Sequence, residues 1–216
     1  MTKRKSTKEE QDDTAAPIYV LNTPQEPGAK VRALSLFGDL DEEQVEGICH
    51  SLLLLKESGK EEIYEDPEDI DSPLKEIIYK PIDFYISTWG GDALGMFAIY
   101  DLLRVIREEC EIHTFGLGKV MSAGVLLLAS GTKGKRKIGK HTRVMMHSVR
   151  AGHTGTVHSL ENDIKETKWI QQQHIEALVS ETKMSKAYIK RMLNKKVDVY
   201  LNANQAVKLG IADIIV

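Results

Sequence analysis

Residues 120–131, Val-Met-Ser-Ala-Gly-Val-Leu-Leu-Leu-Ala-Ser-Gly, constrain the fold of this chain more than any other stretch. A strand-like run at 111–116 leads into them, and an apolar helix then starts among small residues that surround one hydroxyl, Ser122. Such a strand-to-helix turn exposes the serine oxygen. It also presents helix-terminal amides that lack intrahelical partners, which is what a developing oxyanion requires. The same serine would equally suit a helix N-cap with no chemistry attached.

The rest of the chain repeats the strand-then-helix pattern. A strand at 31–37 stops at Gly38, and Asp41 with Gln44 forms a capping box for a helix whose apolar face is Val45, Ile48, Cys49 and Leu52. A strand at 82–87 precedes a helix at 92–107. There Leu94, Phe97, Ala98, Leu102, Val105 and Ile106 set the buried face, and Ile99 and Leu103 widen it. Strands follow at 112–117, 142–146 and 197–201, and helices after Ser122 and at 157–182, 185–193 and 203–209. This alternation predicts an α/β fold built from parallel crossover units. The charged helix at 157–182 has only a weak apolar stripe, which suits a projecting element or one packed on another subunit.

Residues 1–30 are polar and aperiodic and are expected to form a flexible arm. Residues 57–81 hold seven acids between Glu61 and Asp71 and three prolines, and are expected to be a solvated acidic insertion. A domain at 31–216 remains, with apolar content (42% of the chain) sufficient for one substantial core. A net charge of −3 gives no basic footprint for nucleic acid. Neither a membrane-length apolar run nor a leader pattern is legible, and Cys49 and Cys110 make no metal or redox pair. The expectation is a soluble protein in the reducing cytoplasm.

In open α/β sheets functional groups gather beyond the carboxyl ends of the strands. Three such ends carry Trp89-Gly90-Gly91, Ser122 and His147. The glycines permit close approach of a peptide backbone, and two helix starts offer the Gly91 and Ala123 amides as an oxyanion hole. His147 is a candidate general base, although a histidine packed in the core is the plain alternative. Asp198, an acid among apolar residues, is the candidate that would orient it. His153 and His158 lack the cysteine or carboxylate spacing needed to make a metal site with His147. Residues 134–140 resemble a phosphate-binding loop, but His141 stands where magnesium would need a hydroxyl, so a basic loop or hairpin is expected.

The ordered set Tyr85-Ile86-Ser87 into Gly90-Gly91, Met121-Ser122-Ala123-Gly124, Gly131 to Arg136, Arg143 to His147 and Asp198 to Ala203, with 25 residues from serine to histidine, resembles the Clp protease proteolytic subunit. That family consists of self-compartmentalised serine peptidases of the crotonase-like superfamily. The resemblance implies stacked βαβ units with a protruding handle helix and strand (149–182). It also implies Ser122 as nucleophile, His147 as base, Asp198 as its acid, and Gly91 and Ala123 as the oxyanion hole. Trp89, Gly90, Val149 and Arg150 would contact substrate, with 149–152 lining the path. Further implications are protein and peptide substrates, two stacked rings of seven copies, and an AAA+ unfoldase that alone uses ATP, so that the chain needs no cofactor. Trp89 stands where proline is usual, Ala123 where methionine is, and Ser148-Val149 where Gln-Pro is. Three rival readings are a non-catalytic ring subunit, a crotonase-type acyl-CoA enzyme sharing the two-amide hole, and a serine–lysine peptidase using Lys119 or Lys133.

Overall fold

A computed structural model of the chain describes residues 31–69, 71–194 and 197–216. The expected arm at 1–30 lies outside them. The main sheet begins with β1 (Ala33–Leu40), which runs on through Gly38. With φ at +89°, that glycine bends the strand at a register shift and does not end it. Helix α1 (Glu42–Ser58) follows. Its cap is Asp41, whose carboxylate accepts the Gln44 N–H at 2.9 Å, and it buries Ile48 and Leu52 while Val45 and Cys49 pack half-buried beside them.

The acidic insertion is not structureless. It forms an antiparallel hairpin, β2 (Lys60–Tyr64) with β3 (Leu74–Tyr79), separate from the main sheet and exposed along most of its length. The charged residues between its apolar positions hide the alternation that would mark a half-buried strand.

Strand β4 (Ile82–Gly91) lies parallel between β1 and β5 (Ile112–Met121), and its alternate residues Ile82, Phe84, Ile86 and Thr88 are buried. Between these strands runs α2 (Ala93–Ile106), capped by Asp92. Its buried stripe is Met96, Ile99, Tyr100, Leu103 and Ile106, while Leu94 and Val105 are exposed. The expected face was therefore rotated: the two residues read as widening it are at its centre. After β5 comes α3 (Ala123–Ala129), all seven residues of which are buried. Strand β5 then divides its partners. Phe115 and Gly116 pair with β6 (Lys137–Ile138), and Lys119 to Met121 pair with β7 (Arg143–Met146).

The long α4 (Val157–Glu181) starts at a Thr156 cap, and α5 (Lys186–Leu193) at a Ser185 cap. Strand β8 (Val199–Leu201) pairs antiparallel with β7, an exception to the expected parallel pairing. Then α6 (Ala203–Lys208), opened by an Asn202–Gln205 capping box, leads to β9 (Ile214–Ile215) beside β6.

The end of α4 is pinned by Glu181, only 2% exposed. It accepts from Arg107 Nη2 at 2.6 Å, Lys133 Nζ at 2.9 Å and the Tyr100 hydroxyl at 3.1 Å. Burial alone would raise this carboxyl, but the Arg107 and Lys133 bonds prevail and hold it below its ordinary value. Arg136, from the expected basic loop or hairpin, is buried. It donates to Asp213 Oδ2 at 2.8 Å and to the carbonyls of Glu181 (2.8 Å) and Ala129 (3.1 Å). The run therefore forms a turn and then the parallel strand β6, and its arginine joins three elements. Among the described residues no helix is long and apolar enough to cross a membrane.

Candidate active site

Parallel pairing brings the ends of β4, β5 and β7 to one edge of the sheet. The Ser122 N–H donates to Met145 O at 2.8 Å, which fixes the serine two residues from His147 on the neighbouring strand. Ser122 has φ +53° and ψ −117°. Among the described residues it is the one non-glycine with positive φ. Its side chain makes no capping bond to α3, so the plain N-cap reading fails. A serine in that region of backbone space costs on the order of 1–3 kcal/mol, strain of a kind that clusters at functional sites.

Gly90 explains how the hydroxyl is aimed. A Cβ at this position would lie 2.5 Å from Ser122 Cβ and 3.0 Å from its Oγ, so only glycine permits β4 to pass so close. The Gly90 N–H is used by Thr88 Oγ1 at 2.9 Å, which leaves the next residue, Gly91, on the cleft wall. Ala123 opens α3, where first-turn amides have no intrahelical acceptor.

A cleft of ≈ 450 Å³ lies over these strand ends. Its walls bring together Ser122, Ala123, Gly91, Trp89 and His147, with Val149 and Arg150 beyond. The far wall is one face of α4: Asp163, Glu166, Thr167, Ile170 and His174 recur at helical spacing. Gln171 Oε1, on the same helix, accepts the Val149 N–H at 2.7 Å and tethers the segment after His147. The exposed Trp89 ring carries Lys119 Nζ 4.4 Å from its centroid. Lys133 is bound to Glu181 and Lys119 sits over Trp89, and neither lines the cleft.

The imidazoles have unusual surroundings. His147 Nδ1 is buried without a hydrogen-bond partner. Asp198 stands just before β8, and the β7–β8 register, in which Met146 faces Val199, places it opposite His147 when extended by one residue. Its carboxylate, however, accepts from Arg150 Nη2 at 2.7 Å. His174, overlooked in the sequence as a lone histidine on a polar helix, lies buried with Nε2 unpartnered. Burial, with some help from the nearby His147, drives its pKa down to about 4, so it is neutral at pH 7. Among the described residues no group of three or more histidines, cysteines or carboxylates is placed to hold a metal ion.

The Clp protease family model matches residues 74–216, a span that contains every residue of this cleft. The chain belongs to the Clp protease family. It is accordingly a serine-type peptidase, and its mixed α/β fold with a mostly parallel sheet is that family's. It is similar to the ATP-dependent Clp protease proteolytic subunit 2 of Corynebacterium diphtheriae, 30% identical over 84% of this chain and 80% of the relative. It is also similar to the ATP-dependent Clp protease proteolytic subunit 1 of Corynebacterium jeikeium, 29% identical over 84% and 85%. A hydroxyl and an imidazole sharing one cleft are side-chain types that acyl transfer can use. The sequence signals for Gln171 and His174 were weak. Each is one polar residue in a helix already rich in them, and only the packing of α4 on the cleft distinguishes them.

Proposed function

We propose that Ser122 Oγ is the nucleophile of an endopeptidase, His147 its general base, Asp198 the acid that orients the base, and the Gly91 and Ala123 amides the oxyanion hole. The observation that carries this is the left-handed Ser122, pressed on Gly90 with its hydroxyl released from capping, in a cleft shared with His147. With the buried Nδ1 of His147 assigned to Asp198, Nε2 takes the serine proton as Oγ attacks a peptide carbonyl. The two amides receive the oxyanion, the imidazolium protonates the leaving amine, and water repeats the sequence to free the acyl product. Every step uses groups of this chain, so we propose no cofactor.

Trp89, Val149 and Arg150 contact the substrate and 149–152 runs beside it, whereas Gly90, buried against Ser122 and off the cleft wall, acts through the serine and not as the expected substrate contact. The names of the relatives couple proteolysis to ATP. We extend that to this chain as a cytoplasmic homo-oligomer, two stacked rings of seven joined through 149–182, fed by an AAA+ unfoldase that alone consumes ATP. Val157, Ile164 and Trp169, exposed along α4, support this as apolar surface that another copy would cover.

A fluorophosphonate applied to the native protein is expected to modify Ser122, and S122A and H147A are expected to remain unlabelled. Each substitution should lower kcat on a short fluorogenic peptide by about 10⁴-fold or more without altering assembly. Assembled protein with no adduct would favour a non-catalytic ring subunit. Undiminished activity in S122A would favour the acyl-CoA reading, which needs no serine nucleophile, and in H147A a serine–lysine reading through Lys119 or Lys133. Light scattering should give the mass of fourteen 24.2 kDa chains.

A further inference from the structure

We propose that Arg150 is a positioning residue that holds the acid of the triad in reserve, so that the catalytic line closes when Arg150 lets go of Asp198. The inference rests on the assignment of Ser122, His147 and Asp198 above. Three observations lead to it. Carried one residue beyond its last pair, Met146 with Val199, the antiparallel register sets residue 198 across from residue 147, and directly opposed residues in such a pair lie about 4.5–5.5 Å apart at Cα. Side chains directly opposed in an antiparallel pair share one face with their Cβ atoms about 4.5–5.5 Å apart, so a turn about its own side-chain torsions is the movement we assign to the Asp198 carboxylate. The buried Nδ1 of His147 has no partner, a condition that disfavours the present arrangement and rewards arrival of an acceptor. Asp198 Oδ1 is instead bonded to Arg150 at 2.7 Å.

The grip is a weak one. Arg150 is 70% exposed and Asp198 33%, a pair that solvent and salt screen. Such a pair shifts an equilibrium by no more than about fivefold. Arg150 also stands on the cleft wall, next to Val149, where an entering peptide meets its guanidinium. Filling the cleft therefore competes for the same side chain that detains the acid, and occupancy and alignment become linked.

The experiment compares wild type, R150Q, R150K, D198N and the R150Q/D198N double variant as assembled proteins. The readouts are kcat and KM on a fluorogenic peptide and the rate of fluorophosphonate capture at Ser122. The expected result is a kcat and a capture rate about two- to fivefold higher in R150Q, with R150K returning toward wild type. Raising NaCl from 0.05 to 0.5 M should accelerate wild type and leave R150Q unmoved. In the D198N background the R150Q effect should vanish, since no acid remains to be released. Three results would overturn the proposal: a higher KM at unchanged kcat in R150Q, equal capture rates in the two proteins, or an R150Q effect that persists in D198N. If wild type itself forms no Ser122 adduct and cleaves no peptide, the underlying assignment fails and the proposal fails with it.

Discussion

His174 makes a demanding test of the packing around the cleft. Its imidazole holds out against protonation until about pH 4, whereas in the unfolded chain it titrates near 6.5. Above pH 7 the ring is neutral in both states and stability does not depend on it. As pH falls through 6.5 the unfolded chain takes up a proton that the folded chain refuses, so unfolding gains free energy. The effect levels off once the folded form also protonates, below about pH 4. At about 1.36 kcal/mol per pH unit, the full interval is worth about 3 kcal/mol, and about 2.5 kcal/mol has been lost by pH 4.5. His174→Leu keeps most of the volume and removes the proton site. Urea unfolding followed by tryptophan fluorescence, at pH 7.5 and 4.5 for both proteins, isolates the contribution because every other titrating group is shared. The wild type should lose about 2.5 kcal/mol more than H174L on acidification. At pH 7.5 the leucine variant should be at least as stable, because the unpartnered Nε2 is gone. Equal losses in the two proteins would refute the buried, neutral assignment.

Two further expectations follow from contacts elsewhere. G90A should lower peptide hydrolysis by at least about 10²-fold and slow fluorophosphonate capture equally, because the new methyl displaces Ser122 from its place; near-wild-type kinetics would mean β4 yields more readily than its geometry implies. R136M should cost about 3 kcal/mol in urea unfolding, since Asp213 loses its buried cationic partner, keeping only the Gly134 and Arg136 backbone N–H groups, and the carbonyls of Glu181 and Ala129 lose a donor, with the loss appearing at neutral pH and high salt alike.

Much of this fold was legible because its strands and helices carry strong local signals. Asp41, Asp92, Thr156, Ser185 and Asn202 each sit at a helix start, and all five starts fell within one residue of the expected ones. What escaped depended on partners remote in sequence. β6 and β9 are two residues long and exist only because they pair with each other and with β5. On α2, Leu94 and Val105 match a buried face as well as Ile99 does; the angle at which the helix meets α1 and α3 decides, and no helical period encodes it. Within the site, Ser122, Gly90, Gly91 and His147 announced themselves through small residues and strand ends. The Arg150–Asp198 pair did not, because 48 positions separate the two and arginine on an exposed segment carries no local mark.

The backbone at Ser122 also bears on how long such a residue would last. Glycine would occupy φ +53° without penalty, so a copy of this chain released from any need for the hydroxyl would gain robustness by giving it up. Neutral drift runs downhill from serine at that spot. A lineage that keeps the alcohol there does so against the interest of its own folding.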